Sequence, residues 1–235
     1  MRKLSALILA LVLICSAAVS LADTKITVSG SGNILVPADT AVVSLGISAR
    51  DKDVLKAQQK ANEVIAAIRA ILTENGIPAE DINTGYLNIY AMYDYTEGME
   101  EINAYNANST LAIRLTDMTI VGQVIDLAFS AGANTLNGID FSASDTGDAE
   151  AAALKKAVQD TRAKAEILAE AAGLNISGIK EISEGATYSY DSGANVFRSK
   201  GEYEESAAFD APTVVQAAKL SVSATISITF EADEN

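Results

Sequence analysis

The residues able to do chemistry define this chain first by what is missing. It has no histidine, and a single cysteine, Cys15, among 235 residues. Ser-His-Asp and Cys-His nucleophile systems need an imidazole as base, so both are excluded. His-ligated zinc is excluded on the same ground. Carboxylate pairs, Ser/Lys dyads, tyrosines and oxygen-ligated cations remain.

Carboxylates crowd two stretches, Asp94, Glu97, Glu100 and Glu101, and Glu202, Glu204, Glu205 and Asp210. A glycosidase needs two carboxyls across a cleft, one with a raised pKa. Acids beside Gly and Ser in polar stretches read instead as solvated loop tips. Asp145-Thr146-Gly147-Asp148 with Glu150 gathers oxygen ligands near a glycine but lacks the spacing of an EF-hand loop. It reads as a helix start, with Asp145 or Thr146 as cap and Asp148 and Glu150 favoured by the helix dipole. Gly30-Ser31-Gly32 has no third glycine and no helix after it, so it is not a phosphate loop. Glycines inside a strand mark a bulge or a close backbone approach. No catalytic, cofactor-binding or metal-ligating residue is assigned, and no cofactor is expected.

The tyrosines are unevenly placed. Tyr86, Tyr90, Tyr93, Tyr95 and Tyr105 fall in one stretch, Tyr188, Tyr190 and Tyr203 in another, and tryptophan is absent. Tyrosine joins a large apolar ring to a polar tip, which suits both strands and interfaces. Tyr86, Tyr90, Tyr93, Tyr95, Tyr105, Tyr188 and Tyr190 are therefore the candidate assembly surface. Long strand edges need covering, and self-association covers them.

Alternation of apolar and polar residues predicts the elements that carry these groups. Ile26 to Ser29 and Asn33 to Val36 read as strand, Pro37-Ala38-Asp39 as a turn, and 40–49 as a second strand, giving an N-terminal hairpin. A helix over 53–75, capped by Asp51 or Asp53, carries Ala61, Val64, Ile65, Ile68, Ile71 and Leu72 on one face. Gly76 ends it, with Ile77 as its apolar contact. Strands follow at 81–95 and 105–116, then a short helix from Met118 to Ser130 and a strand near 135–143. The longest helix, 146–172, places Leu154, Ala157, Val158, Thr161, Ala165, Leu168, Ala169 and Ala172 along one side and stops at Gly173. Strands at 179–190 and 217–230 complete the chain. The order strand-helix-strand-strand occurs twice, so the expected fold is α+β. It comprises two similar halves, 23–117 and 118–235, with antiparallel sheets and helices packed on one face. The sequence leaves open whether the halves share one continuous sheet.

Arg2 and Lys3, the apolar run Leu4 to Val19, and Ser20-Leu21-Ala22 have the three-part layout of a cleavable secretory signal over 1–22. The run is a little short for a membrane span. Ile14 stands where a lipoprotein signal needs a small residue before its cysteine. Cleavage after Ala22 removes Cys15, which leaves the mature chain without disulfide or thiol chemistry. It also removes two basic residues, leaving 15 basic against 31 acidic. A chain so acidic repels nucleic acid and anionic lipid. No later stretch is apolar enough to be an integral membrane segment.

Several short motifs, in order, resemble the SIMPL-domain family. Its bacterial members include periplasmic immunogenic proteins and proteins labelled for oxidative-stress defence. The matching residues are Ile26 through Gly32, Pro37-Ala38-Asp39-Thr40-Ala41, Gly76-Ile77, Asp81-Ile82-Asn83-Thr84, Tyr105-Asn106-Ala107-Asn108, Gly138-Ile139-Asp140-Phe141, and the helix residues Ala157-Val158, Ala163-Lys164-Ala165, Leu168-Ala169 and Gly173. Ala38 departs from the family, which more often runs Pro directly into Asp. The resemblance implies an exported α+β protein, periplasmic or extracellular, that forms a large homo-oligomer, with no catalytic residues to carry over. The function expected is therefore a non-enzymatic structural or binding protein of the cell envelope linked to stress tolerance, its ligand unspecified. The alternatives are a carboxylate-dependent hydrolase of envelope glycan and a small-ligand binder between the two halves.

Overall fold

A computed structural model describes residues 24–96, 99–192, 212–217 and 219–234. The leading segment 1–22 and the acids Glu97, Glu202, Glu204, Glu205 and Asp210 lie outside the described residues. Among the described residues, seven strands and three α-helices follow one another as β1 (Thr24–Pro37), β2 (Thr40–Asp51), α1 (Val54–Glu74), β3 (Ile82–Thr96), β4 (Met99–Leu115), α2 (Val121–Ser130), β5 (Thr135–Ser142), α3 (Gly147–Ala172), β6 (Leu174–Ser192) and β7 (Lys219–Glu234). They form an α+β fold with two sheets, ordered β3-β4-β2-β5 and β1-β7-β6. Two compact units divide the chain. One takes the described parts of Ile34–Ala151 and Tyr188–Val222, the other those of Met1–Asn33, Ala152–Thr187 and Ser223–Asn235.

In the first unit β2 pairs antiparallel with both β4 and β5, and β4 antiparallel with β3. Alternate residues of β2 (Ala41, Val43, Leu45) face Leu111 and Ile113 of β4 and Phe141 of β5, all buried. Helix α1 lays Ile68 and Leu72 on that face, and α2 adds Val121, Val124 and Ile125. Each fully buried Leu or Ile contributes roughly 1.5–3 kcal/mol of transfer free energy. Asp53 is the cap of α1, accepting from the backbone N–H of Leu55 and Lys56. At the other end Gly76 adopts φ +91°, and the N–H of Ile77 reaches the carbonyl of Leu72. Only a left-handed residue closes the helix in this way. The Arg69 guanidinium ties α1 to β3 through the Ile82 carbonyl (2.5 Å) and the Thr84 hydroxyl (3.3 Å).

In the second unit β7 alternates without a fault: Ala224, Ile226, Ile228, Phe230 and Ala232 are buried and their neighbours are not. Thr27 and Thr229 share a hydroxyl hydrogen bond of 3.0 Å, and Asn33 Nδ2 donates to Ser223 Oγ at 3.2 Å. The two contacts run in opposite chain directions, so β1 and β7 are antiparallel. The expected N-terminal hairpin is not formed, because β1 lies beside β7 and β2 beside β4 and β5. The second strand-helix-strand-strand series is also rearranged. Its first strand, β5, joins β2, and β1 takes the place beside β7.

Helix α3 departs from the expected burial. Its inward stripe is Ala153, Ala157, Thr161, Ala165 and Ala169, small residues spaced by four. Val158 and Leu168, expected inward, are 42% and 49% exposed, and Ala172 is exposed. The physical reason lies in β1. A Cβ on Gly30 would collide with the Ala157 carbonyl and Thr161, and one on Gly32 with the Ala153 carbonyl. Helix backbone and strand backbone touch, which leaves room only for small residues between them.

Candidate functional site

The tyrosine-rich stretch folds as the β3–β4 hairpin, with β3 on the outside of its sheet. Strand β3 is 15 residues long and contains one charge, Asp94, and no proline. Tyr86, Tyr90 and Tyr93 are 53%, 44% and 48% exposed, and Leu87 on the same strand 56%. Tyr105 differs, packing half-buried with Ile89 against Ala57 and Ala61 of α1. Tyr95 lies on β3, and Tyr188 and Tyr190 on β6, but their side chains are outside the described residues. The structure thus brings Tyr86, Tyr90 and Tyr93 together on one strand.

Residues 86, 88 and 90 alternate onto the face turned away from the helices, opposite Thr110, Asn108 and Asn106 of β4. Asn106 donates from Nδ2 to Tyr90 Oη at 3.1 Å and accepts from Ser48 Oγ at 2.9 Å. Ser48 is anchored in turn by Asn134, whose side chain accepts from its N–H and donates to its carbonyl. A polar row therefore crosses β2, β4 and β3. Alternation in the sequence carried this signal, since Asn88, Asn106 and Asn108 sit at the positions out of phase with the buried residues.

The displaced carboxylates are structural acceptors. Hydrogen bonds from Ser144 hold the Asp39 carboxyl below its usual range, the Lys60 ammonium does so for Asp51, the Thr119 hydroxyl for Asp117 and the Lys164 ammonium for Asp160. Each shift is downward, the opposite of what a general acid needs. Asp94 and Glu101 face each other across the hairpin and are exposed. Asp145 Oδ1 accepts from the Gly147 N–H at 3.0 Å, and Thr146 Oγ1 donates to Glu150 Oε1 at 2.6 Å, so these residues start α3. Among the described residues, no group of three His, Cys, Asp or Glu is placed to hold a metal.

A second arrangement went unseen in the sequence. Lys164 Nζ donates to the Ser29 carbonyl (3.2 Å), Asp160 Oδ2 accepts from the Ser31 N–H (2.9 Å), and Lys156 Nζ donates to the Asn33 carbonyl (3.2 Å). Alternate residues of a strand turn their polar groups to one edge. These three bonds therefore occupy the edge of β1 opposite β7. Four residues of helix advance about 6 Å and two of strand about 6.7 Å, so the rungs match over this short span. The spacing Lys156, Asp160, Lys164 beside a small-residue stripe was the available signal.

Two grooves lie within single units. One, of about 540 Å³, runs between α3 and β6 over Ala169, Ile176 and Phe230, and the other, of about 410 Å³, lies between α2 and the segment 212–215. No described helix is long and apolar enough to cross a membrane.

Relatives place these features in context. The chain is 27% identical over 165 residues to a 26 kDa periplasmic immunogenic protein of Brucella melitensis, and equally to that of Brucella abortus. Each match covers 68% of this chain and 66% of the relative, just under two thirds of its length. It is 25% identical over 144 residues to the uncharacterized protein YggE of Escherichia coli, covering 61% of this chain and 58% of that protein. The sequence pattern of SIMPL, a protein of unknown function (DUF541), matches residues 26–230. With that pattern running from β1 to β7, the chain belongs to the SIMPL family.

Proposed function

We propose that this is an exported, periplasmic, non-enzymatic protein that assembles with copies of itself along the β3 edge and serves stress tolerance from the cell envelope. The observation that carries assembly is β3 itself. Among the described residues this 15-residue edge, with one charge and no proline, has no strand beyond it to take its outward N–H and C=O groups, and it is flanked by exposed Leu87, Tyr86, Tyr90 and Tyr93. Natural edges are normally guarded by charge, proline or a bulge against such pairing. Register shifts at Gly85 and between Met92 and Tyr93 leave a regular register from Tyr86 to Met92 between them. The edge of β1 contrasts with it, since α3 side chains occupy its backbone groups. Export is supported by the layout of 1–22 and by the periplasmic relatives. The non-enzymatic reading is supported by the missing imidazole and by carboxylates displaced downward. The stress role is drawn from the sequence resemblance to proteins labelled for oxidative-stress defence.

Light scattering on the chain beginning at Asp23 tests assembly. The wild type is expected as an oligomer, and Leu87→Lys, which puts a charge beside the exposed edge, as a monomer with an unchanged circular dichroism spectrum. A wild type that stays monomeric at micromolar concentration would sink the assembly reading. Mass spectrometry of the exported protein should find Asp23 at its start. Loss of peroxide survival on gene deletion, restored by the wild type and not by Leu87→Lys, is the outcome expected of the stress role.

A further inference from the structure

We propose that the outer face of the β3–β4–β2 sheet binds an uncharged chain of β-1,4-linked N-acetylhexosamine units. Three observations carry this. First, although 20% of the chain is charged, residues 83–92 of β3, 104–112 of β4 and 42–48 of β2 contain no charge of either sign. Charges on the same face, Arg50 opposite Asn106 and Arg114 opposite Val42, border this strip, which itself favours neither anionic polymer nor cationic peptide. Second, Tyr86 and Tyr90 stand on this face with Asn88 between them. Four residues of strand span about 14 Å, so two half-exposed rings bracket a strip as long as a short oligosaccharide. Aromatic rings on a flat surface stack against the apolar faces of sugar rings, and the hydroxyl tip reaches polar groups beside them. Third, Asn88 and Asn108 lie side by side in register between the two rings, and neither side chain has a hydrogen-bond partner among the described residues. Each offers an amide donor and acceptor pair, which matches the N–H and C=O of an acetamido group.

The neighbouring residues hold this strip in shape. Asn106 is spent on Tyr90 and Ser48, which fixes the Tyr90 ring rather than leaving it to swing. Rigid presentation limits the entropy lost on binding. Assembly along the β3 edge would extend the same face rather than cover it, because an added strand lies beside β3 in the sheet. The inference does not depend on that assembly.

The test is calorimetric titration of the mature protein with N-acetylchitotetraose, with cellotetraose as the sugar lacking acetamido groups. Saturable binding of the first, at least tenfold weaker binding of the second, and a loss of tenfold or more in both Tyr86→Ala and Asn88→Ala are expected. Asn88 is exposed on an edge strand, so its alanine variant should fold even if Tyr86→Ala does not, and circular dichroism checks each. The Leu87→Lys variant should bind as the wild type does, which separates this outcome from the fate of the assembly reading. No binding of N-acetylchitotetraose at millimolar concentration overturns the proposal. So does equal binding of cellotetraose, or undiminished binding by Asn88→Ala.

Discussion

At the scale of single residues, four aspartates fasten the chain to itself. Asp39 receives the N–H and hydroxyl of Ser144, at 2.9 and 2.6 Å, and so joins the turn after β1 to the end of β5. Asp160 receives Lys164 Nζ at 2.7 Å and the Ser31 N–H at 2.9 Å. The carboxyls of Asp39, Asp51, Asp117 and Asp160 all titrate below their unfolded value of 3.8. A group with a depressed folded pKa contributes stability above the unfolded value, and that contribution is lost as pH falls through the folded one. The melting temperature is therefore expected to hold from neutral pH to about pH 5 and to fall below about pH 4. Asp39→Asn and Asp160→Asn together should flatten the acid limb, and an unchanged limb would show that these bonds do not set it. Residue chemistry was partly legible from the start. The capping of α1 by Asp53 and of α3 by its leading residues follows from side-chain preference alone. The bond between Asp160 and Ser31 does not, since it joins residues 129 apart in sequence.

At the scale of elements, local pattern was enough for most of the strands and helices. Alternation marks β2 and, strictly, β7, and the Gly76-Ile77 stop appears in the structure as a closed left-handed cap. What local pattern could not supply was partnership. Residues 24–37 alternate as a strand whichever strand they join, so a neighbouring β2 looked like the partner when β7 is. The buried side of α3 was misjudged because large apolar residues normally mark it. Here Val158 and Leu168 give way to an alanine stripe, since Gly30 and Gly32 bring the strand backbone against the helix. The packing yields a sharp expectation. Gly32→Ala should cost about 1–3 kcal/mol or more, because the added methyl meets helix backbone rather than a movable side chain. Gly147→Ala, where the nearest atom is the Asp145 carboxyl oxygen at 3.4 Å, should be close to neutral. Thermal or urea unfolding of the two variants measures the difference.

At the scale of the whole molecule, charge and edges pull against each other. The full chain carries a formal −14. Copies bearing such a charge repel, while strand pairing and apolar contact along β3 attract. Salt screens the first and leaves the second nearly untouched, with a Debye length of about 10 Å at 0.1 M. The assembled fraction is therefore expected to rise as sodium chloride increases from 20 to roughly 300 mM. A fall over that range would mean that ion pairs between copies hold the assembly. The tyrosine cluster was visible in the sequence. Its division into an edge, an outer face and the half-buried Tyr105 was not, because that depends on the register of β3 against β4.

The pairing of β1 with β7 has a consequence in time. Thr27 and Thr229 are 202 residues apart. Contacts this distant in sequence are slow to form, because a long loop must close before they contribute anything. For a chain that enters a compartment N-terminus first, the earliest strand to arrive has no partner until the last one follows. The second unit is thus assembled only from a finished polypeptide, whereas the β3-β4-β2-β5 sheet of the first has all its strands by Ser142.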